Sequence, residues 1–452
     1  MDHARSENVA AVERLLESGD FEGLLAYLEP IHPADVADIL EELDPDAQAA
    51  ILKRLDNERA AEVLTEIDEV SGQALLRILS DTHLVNLVGE MPTDDAADIM
   101  SSLPPERTER VEALLPSEDR EQLHELMEFG EDTAGGIMEL ERIAIPGDAT
   151  IRDAIELVRA GADDIENLQK IYVVGPGGVL LGYIDVLDLL VYPRSTPIRD
   201  AMKKNAVVVP VTMDQEDVAA LFGKYDEFSL PVEDETGKLV GRITVDDIID
   251  VIEEEASEDI AHIAGTTEDD LGEPSPVKIS RTRIPWLITG LAGQLVAALI
   301  MSRFEAPLQK WFVLAFFVPL IVGTAGSIGI QSAVVVVREL ALGQIDISRM
   351  GRRVGKELAV ALINGLILGS VLFIAVYVWQ RDIDLAVLLL GSLLLVIIVA
   401  AFIGASVPLL LEKWKIDPAI AAGPFITVSN DIIGLSIYLS LATLYLSRFR
   451  TP

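Results

Sequence analysis

From residue 284 onward, apolar positions run almost unbroken in five blocks, roughly 284–301, 311–337, 358–379, 385–411 and 419–446. Each is long enough to cross about 30 Å of hydrocarbon as a helix. Before residue 136 the apolar positions instead recur at helical spacing, with Gly and Pro between the periodic stretches. This predicts an all-α superhelical domain over 1–135. A weak internal repeat supports it: Asp35 and Asp38 recur as Asp95 and Asp98, 60 residues on. Stacked helical hairpins are the natural fold for such a pattern. Residues 136–250 change period. Short β-branched runs at 170–174, 180–184, 206–209, 229–232 and 239–243 alternate with amphipathic helices at 151–160 and 215–225, an α/β pattern. Residues 251–280 read as a connecting helix followed by a linker over 266–280, and 281–452 as a five-helix transmembrane domain.

Charge sharpens this division. Residues 1–280 carry 21 Lys+Arg against 65 Asp+Glu, whereas residues 281–452 carry 14 against 9. So acidic a soluble half excludes nucleic acid as a partner, because phosphate binding needs the opposite sign. Two readings of the acidity remain open: a salt-adapted surface or a cation-sensing one. The chain has no cysteine, which excludes disulfides and thiolate metal sites. His3, His32, His83, His124 and His262 are scattered without ligand spacing. The N-terminus is charged and amphipathic, without the pattern of a signal peptide. Basic residues gather at 281–283, 338–357 and 413–415. The positive-inside rule then predicts a multi-pass plasma (inner) membrane protein with a cytoplasmic N-terminus.

The candidate chemistry centres on Asp431, in the stretch 423–434 (GPFITVSNDIIG). A carboxylate at mid-bilayer depth costs roughly 2.5–3.5 kcal/mol and needs a partner or a water-filled cavity. No Lys or Arg lies close in sequence, so a passing cation is one answer; a protonated, hydrogen-bonded Asp is the other. One carboxylate cannot neutralise a divalent ion, but a two-fold homodimer brings two to a shared axis. Oxygen ligands favour Mg²⁺, Ca²⁺ or Mn²⁺ over Zn²⁺ or Cu²⁺. In the second apolar block, Pro319, Gly323, Gly326, Ser327, Gly329 and Gln331 suggest an irregular, pore-side backbone. Gly365 and Gly369 suggest close helix packing. Acidic residues also line the connecting helix: Asp247, Asp250 and Glu254 share one face, and Glu255, Glu258 and Asp259 another. Like charges at this spacing repel, which favours a cation between them over a merely solvated face.

Two resemblances follow. The repeated motif ending at Asp188 and Asp247 (GYIDVLD and GRITVDD) resembles a pair of CBS modules, which implies a weak nucleotide site, possible for ATP, at Thr244 and Asp247. The first copy has Asp185 where Ser or Thr is expected. The order of parts, the five spans, the P-x-x-x-G-T-x-G-x-x-G-x-Q stretch and the region around Asp431 resemble the MgtE-type magnesium transporters. That resemblance implies a Mg²⁺ channel or transporter with Asp431 as the pore site. It implies pore lining by Gly323, Gly326, Ser327, Gly329, Gln331, Gly423, Pro424, Thr427 and Asn430. It also implies Mg²⁺-sensing carboxylates at Asp94, Asp98, Asp247, Asp250, Glu255, Glu258, Asp259 and Asp417, which close the pore at high Mg²⁺. Ser327, Ile330, Gly423 and Ile433 depart from the family pattern beside the pore and bear on ion selectivity. A Mn²⁺, Co²⁺ or Ca²⁺ permease on the same scaffold, or a non-conducting nucleotide sensor, are the alternatives. No nucleophile–base pair or phosphate loop suggests an enzyme.

Overall fold

The computed structural model describes residues 2–161, 168–204, 206–267, 275–341 and 350–449. The centre of the expected linker (268–274), Arg349 and Arg450 lie outside the described residues. The chain forms two compact units, Met1–Ile252 and Glu253–Pro452.

The first unit begins with helices α1 (Asp2–Ser18), α2 (Phe21–Leu28), α3 (Pro33–Glu41), α4 (Pro45–Leu52), α5 (Asn57–Thr65), α6 (Glu69–Ile78), α7 (Asp81–Val88), α8 (Thr93–Ser101), α9 (Pro105–Glu112) and α10 (Ser117–Met127). From α2 onward their N-caps fall at Asp20, His32, Asp44, Asp56, Asp68, Ser80, Pro92, Pro104 and Pro116, one every 12 residues. The 60-residue repeat seen in the sequence is five turns of this shorter period. The first six of these caps accept a backbone N–H through the side chain, which satisfies donors the helix cannot. A buried apolar column keeps the same step: Leu28, Leu40, Leu52, Leu64, Leu76, Val88 and Met100. Most of the stronger contacts pair each helix with the second one along, as in α3 with α5 and α8 with α10. The array is therefore a superhelix of single short helices and not a stack of hairpins. Polar side chains close the helix ends in register: Gln48 donates to the Leu40 and Leu43 carbonyls, and Thr108 does the same to Met100 and Leu103, 60 residues later.

Two similar modules follow. The first holds β1 (Ala144–Pro146), α11 (Ile151–Gly161), β2 (Lys170–Val174), β3 (Leu180–Asp185) and α12 (Asp188–Val191). After α13 (Ile198–Ala201), the second holds β4 (Val209–Pro210), α14 (Gln215–Tyr225), β5 (Ser229–Glu233), β6 (Leu239–Thr244) and the 20-residue α15 (Val245–Ala264). Each sheet has one parallel and one antiparallel pairing, in the orders β1-β2-β3 and β4-β5-β6. The run expected at 206–209 contributes only Val209, which with Pro210 makes up β4. Each sheet also receives a residue from outside its own module. Glu139, upstream of β1, bridges to Arg242 on β6, while Lys203 bridges to Tyr183 on β3. Gly182 and Gly241 make room: a Cβ on Gly182 would overlap the Lys203 carbonyl, and one on Gly241 would lie 2.7 Å from the Glu139 carbonyl.

The second unit holds α16 (Pro276–Arg303), α17 (Glu305–Lys310), α18 (Val318–Ala341), α19 (Met350–Gln380), α20 (Ile383–Lys413), α21 (Ala419–Ala422) and α22 (Pro424–Phe449). Among the described residues, five helices are long and apolar enough to cross a membrane. The end of the expected linker is helical, because Pro276 starts α16 at a position where its missing N–H costs nothing. The expected irregular backbone at 323–331 is also corrected: α18 is helical throughout, with Thr324 and Ser327 hydroxyls donating to the Leu320 and Gly323 carbonyls. In apolar surroundings a helix satisfies its own backbone best. The break falls instead at Gly423, between α21 and α22, just before Pro424. Gly365 and Gly369 pack on Leu394 and Leu390 of α20, as their spacing predicts. Arg353 on α19 bridges Glu339 on α18 and Glu357, which also accepts from Ser332 at 2.8 Å.

Candidate metal centres

In the first unit, Asp94 on α8, Glu139 and Asp247 on α15 each place a carboxylate oxygen within 4.8 Å of the others. Asp94 is 6 % exposed and Glu139 8 %. Thr244 ends β6 and caps α15: its N–H and hydroxyl both donate to Asp247 Oδ2, at 3.1 and 2.7 Å. The same hydroxyl lies 3.1 Å from Glu139 Oε1. Arg242 forks onto Glu139 Oε2 at 2.6 and 3.1 Å. Arg242 thus pairs with one of three clustered carboxylates, with Asp95 and Asp98 alongside. Burial and the neighbouring negative charges raise every one of them. Asp94 stands well above the usual carboxylate range through burial and the charges of Asp247, Asp95 and Glu139. Asp95 is pushed up to about 7 by burial, Asp247 and Asp98. Burial lifts Glu139 to about 7 against the pull of Arg242. Asp98 reaches about 6 by desolvation and by Glu131 and Asp247, and Asp247 reaches about 6, chiefly by burial. The buried Asp94 Oδ1 has no hydrogen-bond partner among the described residues. A hard divalent cation fits this donor set, since it takes carboxylate oxygens and repays their desolvation.

Asp94 and Asp247 were expected as sensing residues and meet here. Asp98 sits at the edge of the group, one turn along α8 from Asp94 and Asp95, and Asp250 is exposed on the next turn of α15. Glu139 and Asp95 escaped the sequence reading. Glu139 comes from 105 residues before Thr244 and arrives through an isolated antiparallel bridge to Arg242 on β6. In the first module the matching Asp185 and Asp188 both pair with Lys203.

A second group lies in the other unit. His262 faces Asp417 at 3.2 Å and Glu258 at 3.7 Å. Burial, Asp417 and Glu258 push Asp259 up to about 6. Asp417 also accepts from the Ala419 N–H at 2.8 Å, which fixes the start of α21. Glu255 lies half-buried one turn before Glu258 and Asp259. Beyond these groups, the end of α15 meets the break in the last span. A Cβ on Gly423 would lie 2.8–2.9 Å from the Ile263 and His262 carbonyls, so only glycine fits that contact. Ile263 packs against the cluster of Ala333, Val337, Ala419 and Ile426.

Within the spans, Asp431 is 7 % exposed. Its one hydrogen-bond donor among the described residues is Gln294 Nε2 on α16, at 2.6 Å. A Cβ on Gly326 would lie 3.8 Å from Asp431 Oδ1 and the same distance from Thr427 Cγ2. The expected lining residues split into three sets. Gly326, Gly329 and Asn430 are buried where α18 meets α22, and Gly329 leaves room for the Asn430 amide. Gly323, Ser327 and Gln331 recur every four residues on the exposed face of α18. Thr427 and Pro424 are half-buried on α22, and Thr427 donates to the Gly423 carbonyl at 3.3 Å. Gln294 was missed, because an isolated amide in an apolar block gives no signal of its partner.

Comparison with known proteins agrees with this layout. The family described as "Divalent cation transporter" matches residues 318–441, the "MgtE intracellular N domain" 31–132, and the "CBS domain" 198–254. The chain is 37 % identical over 328 residues to the magnesium transporter MgtE of Enterococcus faecalis, covering 73 % of this chain and 72 % of that one. It is also 37 % identical over 327 residues to the Thermus thermophilus transporter of the same name, covering 72 % of each. Among solved structures, the cytosolic domain of the Mg²⁺ channel MgtE in complex with ATP aligns at TM-score 0.52 and 34 % identity, covering 54 % of this chain and 99 % of that one. The soluble part of a magnesium transporter aligns at TM-score 0.53 and 29 % identity, covering 56 % of this chain and 99 % of that one.

Proposed function

The chain belongs to the MgtE family of magnesium transporters, and from that premise we propose that it conducts Mg²⁺ past Asp431 and is closed by Mg²⁺ held at its acidic clusters. The observation that carries the reading is the Asp431 carboxylate, sunk among apolar spans and met by a neutral amide. Its charge stays available for a passing cation. Mg²⁺ sheds water reluctantly, so the ion is held through its hydration shell and released easily, as conduction requires.

A homodimer supplies the second carboxylate at a shared axis. Its support is the polar Gly323, Ser327 and Gln331 face of α18, which is ill suited to lipid. Leu187, Leu190 and Val191 add an exposed apolar patch on the first module. We assign residues 1–135, 136–250, 251–280 and 281–452 to sensor, paired modules, connector and pore. The acidic half faces the cytoplasm of a plasma-membrane protein, on the side where basic residues flank the spans. ATP is a second ligand for the modules, with Thr244 and Asp247 the residues placed to meet it; the similar cytosolic domain named above binds ATP.

Sensing follows from repulsion. Without Mg²⁺, Asp94, Glu139 and Asp247 push α8 and α15 apart; a bound ion draws them together. Shifting such a gate from 1:99 to 99:1 takes about 5.5 kcal/mol of differential binding, which several weak sites can supply. The test is Mg²⁺ flux into liposomes carrying the purified full chain. Asp431→Ala is expected to abolish flux. Joint alanine substitution of Asp247, Asp250 and Glu255 is expected to keep flux open at Mg²⁺ concentrations that close the natural protein. Flux retained without Asp431 removes the pore role, and normal closure in the triple variant removes the sensing role.

A further inference from the structure

We propose that Gln294 is a specificity-determining partner of the pore carboxylate: it occupies one oxygen of Asp431 and so restricts the site to an ion held loosely through water. The inference rests on the pore reading above. Two contacts place the amide. Gly293, the residue before it, lies so close to Val428 that a Cβ there would overlap that side chain. This close approach of α16 to α22 brings Gln294 Nε2 to 2.6 Å from Asp431 Oδ2. A carboxylate only accepts, so the NH₂ end of the amide must face it.

The consequence concerns how a cation can bind. Ca²⁺ readily takes a carboxylate through both oxygens, whereas Mg²⁺ keeps most of its water and touches few protein ligands. With one lone pair of Oδ2 taken by Gln294 and the amide standing beside it, Oδ1 is the more open oxygen and bidentate capture is disfavoured. The amide is neutral, so Asp431 keeps its full charge for attraction. A Lys or Arg at 294 would cancel that charge, and a hydrocarbon would leave both oxygens free to grip a partly dehydrated ion. Gln294 therefore keeps the hold weak and the flux fast.

The test uses the full chain in liposomes, with Mg²⁺ flux measured against Mg²⁺ concentration and against added Ca²⁺ or Mn²⁺. Gln294→Met keeps much of the side-chain shape and removes the donor. Its half-saturating Mg²⁺ and half-blocking Ca²⁺ are both expected to fall about tenfold, the order set by losing a hydrogen bond to a charged group, with maximal flux falling too. Gln294→Glu keeps shape and reach and adds a second carboxylate; it is expected to shift both further in the same direction. A merely structural contact predicts lower maximal flux with unchanged half-saturation and Ca²⁺ block. That outcome, or natural behaviour in both variants, overturns the proposal. If the Met variant does not assemble, the Glu variant decides by the same readout. Asp431→Asn separates the two levels: if it conducts normally the pore reading itself fails, while a silent Asp431→Asn beside natural Gln294 variants removes only this inference.

Discussion

Glu139 is tolerated beside two aspartates because Arg242 holds it with two hydrogen bonds. Removing one partner of a buried ion pair leaves an uncompensated charge, at a cost of roughly 3–5 kcal/mol. Arg242→Met is therefore expected to lower the unfolding midpoint of the protein strongly in a metal-free thermal melt. Millimolar Mg²⁺ is expected to restore part of the loss, because the ion takes over the charge balance. A loss that Mg²⁺ leaves untouched would count against metal at this cluster. Close approach without charge gives a second case. A Cβ on Gly404 would overlap the Gly329 carbonyl, and backbone cannot step aside as a flexible side chain can. Gly404→Ala is expected to destabilise the detergent-solubilised protein by about 1–3 kcal/mol, read as a lower thermal midpoint.

At the level of elements, α8, α15 and the Glu139 segment that meets them carry the strongest pH dependence. Asp95 and Glu139 are raised to about 7, and Asp98 and Asp247 to about 6. In an unfolded chain such groups release their protons near pH 4. Between roughly pH 4 and 7 the folded unit therefore binds more protons than the unfolded chain, and its stability falls as pH rises through that window. Divalent cations compete with those protons, so Mg²⁺ affinity is expected to rise through the same window. Thermal midpoints from pH 5 to 8 should decline without Mg²⁺ and stay level at saturating Mg²⁺. A flat metal-free profile would show that the carboxylates do not crowd one another. The other elements follow local rules more closely. The 12-residue spacing of caps and buried aliphatics makes each short helix in the N-terminal array a copy of the last. Gly423 and Pro424 stop one helix and start the next, where α18, with its three glycines, does not break.

For the whole molecule, the proposed homodimer would cover the exposed Leu187, Leu190 and Val191 and the polar face of α18. The chain has no cysteine, so a single introduced thiol reports without background. Leu190→Cys in membranes is expected to give, on mild oxidation, a species of twice the 49.0 kDa chain mass. Absence of that species, together with a monomeric mass in detergent, would remove the dimer and with it the paired carboxylates at the axis.

Much of this protein was legible in its residues. Span-length apolar blocks, the duplicated strand–helix pattern, the acidic half and a lone carboxylate inside the last span are properties of local composition and period, which a one-dimensional reading captures. What escaped are meetings across distance. Glu139 reaches Thr244 over 105 residues because its backbone bridges to Arg242 on β6, and Gln294 reaches Asp431 over 137 because two helices close on a glycine. Hydrophobic period says which face of an element is buried, but only the packed fold says which polar group waits on the other side. The proposed ion chemistry rests on those pairings, and only the tertiary structure brings them together.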